Sequence, residues 1–349
     1  MSEHLDELAA AVGDLLKKRQ PAGSAAPNGL DAALWRDLAP LGFTGLTVPE
    51  HLGGSGGDLR DAAVVVGEAA RFSAAVPVAE ALFLAGPLLA AAGVELPEGV
   101  VTSAAGTLTV ARDGRVSGRL EEAAWIRSAE WVVCLADTSC GPAVAVLAAP
   151  AAGLSAAPGG NLAGEPRGTA VLDGVTPARL APLPPGDWAR RIELHGAVAR
   201  SVQIGGAARA VLGLTVSHAR QRVQFGRPLA KFQAIQQLLA RLAADTATVT
   251  VAADAAVREL LLDPDAPGTE LMAASAKAQA SGLATGIAAA GHQVHGAIGF
   301  TMEHQLGAAT KRLWSWRQEF GNELYWHRRI GVLAAGSPDG LWPLVTGAR

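Results

Sequence analysis

From Trp188 to about residue 295 the chain reads as helix with only two interruptions, and that run limits what the rest can fold around. The first helix is expected over about 188–221 and the second over about 230–262. The stretch LLDPDAPGTE (261–270) closes a hairpin and caps a third helix that extends to about 295. Long antiparallel helices joined by short turns bury their apolar faces on one another, so a four-helix bundle is expected. Half the residues are hydrophobic yet only 5% are aromatic, so small Ala and Val side chains must build most of the core. That composition suits closely packed helices.

The remainder divides into two textures. Over residues 1–100, Leu5, Leu8, Val12, Leu15 and Leu16 recur at helical spacing, as do Leu34, Leu38 and Leu41. The interruption GLTVPEHLGGSGGD (45–58) could cradle an anion, since Gly-rich loops before helices bind phosphate. It lacks a P-loop lysine and the G-x-G-x-x-G spacing, and we read it as a tight loop entering a helix at Asp58. Over residues 101–186, short Val-rich or alternating runs such as WVVCLAD and AVAVLAA are punctuated by Gly, Pro and Asp. That pattern is a small antiparallel β domain, and ARLAPLPPGDW (178–188) is the linker out of it. The fold class is therefore α+β: a helical domain over 1–100, a central β domain over 101–186, and a helical bundle over 187–349.

A formal net charge of −3 gives no basic footprint for nucleic acid or an anionic membrane. Cys134 and Cys140 read as buried free thiols of a cytosolic protein rather than a disulfide. The N-terminal stretch is acidic and amphipathic, unlike a secretory signal. The apolar stretch Phe72 to Val94 contains Glu80, Pro77 and Pro87 and reads as buried helix, not a membrane span. A soluble, cytoplasmic protein is expected. Of eight histidines, His292 and His295 lie three apart, but no Cys or carboxylate spacing completes a metal site.

Two stretches carry chemistry. ARQRVQFGRPLAKFQAIQQLLARLA (219–243) and GHQVHGAIGFTMEH (291–304) lie about 70 residues apart. Together with LGFTGLTVPEHLGGSGGD (41–58) and the α–β–α order, they resemble the acyl-CoA dehydrogenase family. The resemblance covers nearly the whole chain and implies FAD as cofactor. A pyrophosphate needs paired, charge-assisted hydrogen bonds, which arginine supplies. The resemblance assigns that task to Arg222, toward the cofactor of a neighbouring subunit, with Phe225 packing against it. Gln224, Gly226, Phe232 and Gln233 share that corner, and the second motif adds Gln293, Val294, Gly296 and Gly299. One family glycine is Ala297 here. Taken singly, Arg222 could cap a helix C-terminus, Phe225 could be core, and the glutamines could be plain surface.

The family's catalytic side departs further. A base must remove the α-proton of an acyl thioester in a water-poor site. The commonest position for that carboxylate is Phe320, in RQEFGNE; Gly321 matches, and Glu319 falls one residue early. A one-residue step turns a helical side chain by about 100°. The alternative position, on the first bundle helix, is Gly196 or its neighbour, with Glu193 about one turn earlier. The flavin-wall motif expected near 100–112 is absent from VVTSAAGTLTVARD, where Thr102, Ser103 and Thr107 are the hydroxyls at hand. Trp314, Trp316 and Trp326 surround the missing base and are expected to pack a helix interface.

The resemblance therefore implies a flavoprotein subunit supporting α,β-dehydrogenation of an acyl-CoA or acyl-carrier thioester. It implies a hetero-oligomer with a related chain that supplies the base, no nucleic acid and no membrane span. The alternatives are a self-sufficient homotetramer (or homodimer) with Glu319 or Glu193 as relocated base, and a flavin-free scaffold.

Overall fold

A computed structural model of the chain describes residues 3–19, 29–301, 304–338 and 342–343. The described residues fall into two compact units, one drawn from Met1–Ala26, Val66–Ala74 and Ala197–Arg349, the other from Pro27–Val65 and Ala75–Gly196.

In the first unit, α1 (Glu3–Arg19) and the end of α3 (Leu59–Arg71) accompany the long helices α5 (Trp188–Gln221, in this unit from Ala197 on), α6 (Gln233–Leu262) and α7 (Pro267–His295). These three fall where the sequence places them, because Pro, Gly and Asp punctuate their ends. The remaining bundle segment is broken into α8 (Gln305–Trp316) and α9 (Glu323–Gly336). The break falls at Phe320 and Gly321, both with left-handed backbone (φ 53° and 83°) that no helix continues through. Ile204, Val211, Val249, Ile287 and Leu313 form the core with a filling of alanines.

The second unit holds α2 (Ala32–Leu38), the start of α3, and α4 (Gly86–Ala92), which is preceded by a π-helical turn over Glu80–Ala85. The six residues of that turn are all buried. The His195 imidazole hydrogen-bonds the Phe83 backbone there, an outlet for a polar group displaced from the regular helical ladder. Among the described residues no helix is long and apolar enough to cross a membrane.

The sheet of this unit has seven strands in the order β5-β6-β2-β1-β3-β4-β7. They are β1 (Val101–Val110), β2 (Val116–Ala124), β3 (Trp131–Thr138), β4 (Gly141–Ala148), β5 (Leu154–Ala156), β6 (Arg167–Val175) and β7 (Arg179–Pro182). The expected antiparallel pattern holds for every pair but one, since β1 and β3 are parallel. The chain returns down β2 on one side of β1 and crosses through residues 125–130 to rise on the other. Cys134 is buried in β3, and burial pushes its thiol up to about 12. Cys140 is exposed, against expectation, because it sits in the turn between β3 and β4.

The Gly-rich loop spends its donors on itself. Gly53, Gly54, Ser55 and Gly56 give their N–H groups to the carbonyls of Glu50, Pro49, Gly45 and Val48. Asp58 then caps α3 through the Arg60 N–H at 2.7 Å. Those four N–H groups are not available to a phosphate. A Cβ at Gly54 would lie 1.9 Å from the Val48 carbonyl oxygen, a backbone atom that cannot step aside. Gly54→Ala is therefore expected to cost about 1–3 kcal/mol in urea unfolding. Gly268→Ala, with nothing within 4 Å of the added methyl, should be neutral or stabilising.

Candidate functional site

The corner after α5 is a ribbon of β8 (Val223–Gln224) and β9 (Arg227–Pro228), paired Val223 to Pro228 and Gln224 to Arg227. The two residues between, Phe225 and Gly226, both have positive φ (50° and 77°), as a two-residue hairpin turn of this hand requires. Glycine adopts that backbone freely, whereas phenylalanine pays about 1–3 kcal/mol for it. Phe225 is nevertheless 91% exposed, so little packing among the described residues offsets the strain. Its ring meets Phe232 edge-on at 6.2 Å, and the Arg227 guanidinium lies 4.2 Å over the Phe232 ring. Arg222, Gln224, Gly226 and Gln233 are exposed around it. The Arg222 carbonyl accepts the Leu229 N–H at 2.9 Å and fixes the base of the ribbon. Its guanidinium has no ion-pair partner among the described residues.

The second motif arrives at the same end of this unit. The His218 and His295 rings stack 4.5 Å apart and so join the end of α5 to the end of α7. Gly296 follows with φ 64° and ψ −145°, a conformation open only to glycine. It starts a short 3₁₀ turn, Gly296–Phe300. Gln293 and Gly296 are exposed, while Val294 is buried and packs inward. Gly299 serves close packing, since a Cβ there would lie 2.9 Å from that of His295. Ala297 is exposed.

The catalytic position is filled differently. Arg200 of α5 is 2% exposed, and its Nε donates to Glu319 Oε2 at 2.7 Å. Arg200 also donates to Gln203 at 2.6 Å and lies 5.4 Å over the Phe320 ring. Beside it Lys277 of α7 is fully buried, and Nζ donates to Ser281 Oγ, Arg317 O and Gly321 O at 2.7, 3.1 and 2.7 Å. Burial, reinforced by Arg200, pushes this amine down to about 7, with Glu319 and Glu323 pulling the other way. Trp326 donates its indole N–H to the Phe320 carbonyl at 2.8 Å, and Trp316 and Trp326 are both buried, as an interface-packing role requires.

In the second unit, Glu193 is half-buried on α5 and Gly196 is buried. Between them the His195 imidazole is driven down to about 4 by burial and stays neutral. On β1, Thr102 spends its hydroxyl on the Ala124 carbonyl at 2.8 Å, and Thr107 is exposed. Ser103 Oγ is buried without a hydrogen-bond partner, at the point where the β1–β3 register shifts. Among the described residues no group of three or more His, Cys, Asp or Glu side chains is placed to hold a metal ion.

The family models for the acyl-CoA dehydrogenase N-terminal and C-terminal domains match residues 2–96 and 191–322. Acyl-CoA dehydrogenase IpdE2 of Mycobacterium tuberculosis is 34% identical over 295 residues, 83% of each chain. The chain belongs to the acyl-CoA dehydrogenase family. FadE34 of the same organism is 31% identical over 326 residues, 87% of this chain and 43% of that protein. Among solved structures, the ChsE4-ChsE5 complex from Mycobacterium tuberculosis superposes with a TM-score of 0.85 at 23% identity, over 97% of this chain and 99% of that one. The Tcur3481-Tcur3483 steroid ACAD G363A variant gives 0.82 at 25%, over 95% and 98%. The helical, β and helical order of the acyl-CoA dehydrogenase fold is thus the order found here.

Within this acyl-CoA dehydrogenase chain, Arg200 and Lys277 went unnoticed in the sequence. Lys277 is the one Lys or Arg of its Ala-rich helix, and that isolation was its only signal, whereas Arg200 is one of five arginines on α5 and carried none. Breaking a buried pair by removing one partner costs about 3–5 kcal/mol, because the other charge is stranded. Glu319→Gln is expected to lose stability on that scale in urea unfolding, and Arg200→Met with Glu319→Leu to recover most of it. Unchanged stability together with a thousandfold fall in turnover and retained flavin would instead make Glu319 the base.

Proposed function

We propose that this chain is a flavoprotein subunit that supports α,β-dehydrogenation of an acyl thioester and depends on a related chain for the base. One contrast carries the reading. Arg222 is exposed and without an ion-pair partner among the described residues, beside a strained, exposed Phe225, while Glu319, the carboxylate next to the usual base position, is tied to buried Arg200.

The donor set at the corner fits the adenosine-diphosphate half of FAD. Arg222 would neutralise the pyrophosphate, Gln224, Gln233 and Gln293 offer amide donors and acceptors, and the Phe225 and Phe232 rings offer apolar faces. Gly226 and Gly296 keep the backbone free of side chains where the cofactor approaches. Bound flavin supplies the acceptor for the substrate's β-hydride. This chain's own residues would bind and orient that cofactor, and the related chain would supply the α-proton acceptor. Phe320 is apolar, Glu319 is held by a guanidinium, and His195 is a buried imidazole whose low proton affinity makes a poor base. The similar ChsE4-ChsE5 complex and the Tcur3481-Tcur3483 steroid ACAD each join two differently named chains, which favours a hetero-oligomer here and points to a steroid-like acyl thioester.

The test is to purify the chain alone and with a co-expressed related chain, then read flavin by absorbance, mass by light scattering and turnover with acyl-CoA. Activity only in the pair, with one flavin per unlike pair, is expected; full flavin occupancy and rapid turnover by the homomer would overturn the proposal. Loss of a charge-assisted bond worth about 1.5–3 kcal/mol means that Arg222→Ala should weaken flavin binding roughly ten- to a hundredfold. Unchanged affinity would leave Arg222 a helix-end residue only.

A further inference from the structure

Four histidines meet where α5, α7 and α8 end or begin. His295 stacks on His218 at 4.5 Å, and the His304 ring meets it edge-on at 4.9 Å. One turn back on α7, His292 stacks on Phe300 at 4.3 Å and lies parallel to the Trp314 ring at 6.1 Å. One hydrogen bond demands a neutral ring, and two other ring nitrogens are buried without a partner for a second proton. His295 Nδ1–H donates to the Gly291 carbonyl at 2.8 Å, which leaves Nε2 as a bare lone pair, buried and without a partner. His304 Nδ1 accepts the Leu306 N–H at 3.1 Å as the cap of α8, a bond that an imidazolium cannot make. His292 pairs Nε2 with Thr310 Oγ1 at 2.9 Å, and its Nδ1 is buried without a partner.

We propose that this cluster is a pH-sensitive latch: neutral rings hold the Gly296–Thr301 segment in place, and acidification releases it through uptake of more than one proton.

Burial holds all four imidazoles below the ordinary 6.5, His295 at about 4. Among the described residues the charges that would face His295 come from His218 on α5, His304 before α8 and His292 on α7. His218 additionally faces Arg222. A depressed folded-state value sets the sign. Above pH 6.5 both forms are neutral and the closed form keeps its full stability; below it the released form binds protons first, so closure weakens progressively toward about pH 4. In the closed cluster each new charge repels the next, whereas the released rings titrate independently. Opening therefore admits several protons at once, and the transition is steep. The freed segment begins at Gly296 and follows Gln293, so on the flavin reading above, cofactor affinity falls in the same window.

Trp314 reports the event, because an imidazolium beside an indole quenches it. The fluorescence difference between wild type and Trp314→Phe is followed from about pH 8 to about pH 4 without added flavin, with far-ultraviolet circular dichroism at each step. A transition below 6.5 with a proton slope near two or more, and helicity retained, is expected. His304→Asn keeps a helix cap that does not titrate, and His295→Asn keeps a donor for the Gly291 carbonyl; each should flatten the slope by about one proton and move the midpoint to lower pH. A one-proton slope, helix loss coincident with the signal, or wild-type slopes in both variants would overturn the latch. FAD affinity measured along the same titration separates the two readings. A latch transition in protein that binds no FAD at neutral pH sinks the flavin assignment and leaves the latch standing.

Discussion

The close approach of small-residue helices decides what the bundle can hold. A Cβ on Gly206 of α5 would sit 2.2 Å from the Gly67 carbonyl of α3, and one on Gly291 of α7 would sit 2.7 Å from Val211. At that spacing there is no room for loosely held polar atoms, and each one that enters must find its partner inside. The hydroxyls solve this locally. Ser201, Thr215 and Thr246 donate to the carbonyls four residues back, at 2.8, 2.6 and 2.7 Å. Lys277 and Arg200 have more donors than one helix turn satisfies, so they also reach across. Lys277 draws in two carbonyls of the segment between α8 and α9, and Arg200 draws in Glu319. The shape of that segment satisfies two buried charges, and its own Gly321 and the Asn322 cap of α9 allow it.

How far the sequence could be read tracks the range of the interaction. Helix limits are local, and the first long helix was legible at about 188–221 because Trp188 follows Pro184, Pro185 and Gly186 and its far end meets the corner at Arg222. Strands were legible as strands, but alternation says nothing of partners, and the parallel β1–β3 pair was missed. Phe225 was legible as a member of a motif; its strain and exposure were not, because they depend on the pairing of Gln224 with Arg227. Arg200 lies 119 residues before Glu319, so nothing nearby announced that the carboxylate was already engaged. His292 and His295 stood out as a pair, but His218 and His304 come from other elements, and only folding makes four rings one group.

Arg200 and Arg222 show that residue type alone assigns no role. Both lie on or just past α5, yet one is buried and saturated and the other exposed and unpaired. Exposure leaves Arg222 able to bind an anion from outside the chain at little desolvation cost. Burial commits Arg200 to an internal carboxylate, because a guanidinium stranded in a small-residue core costs more than the pair itself contributes.

That commitment also decides whether the base position is one substitution from repair. Phe320 sits in a left-handed turn under the Arg200 guanidinium, with its carbonyl held by Trp326 and the next carbonyl held by Lys277. A carboxylate introduced by Phe320→Glu would therefore arrive beside a guanidinium already bonded to Glu319, and the two acids would contend for one cation. Whichever wins becomes a paired anion, and a paired carboxylate is a weak proton acceptor. The loser strands a charge. On this argument Phe320→Glu alone gives unstable protein without turnover, and a competent base needs Arg200 and Glu319 replaced by apolar residues as well. Measurable acyl-CoA turnover by the single substitution, in the absence of a partner chain, would show the argument wrong.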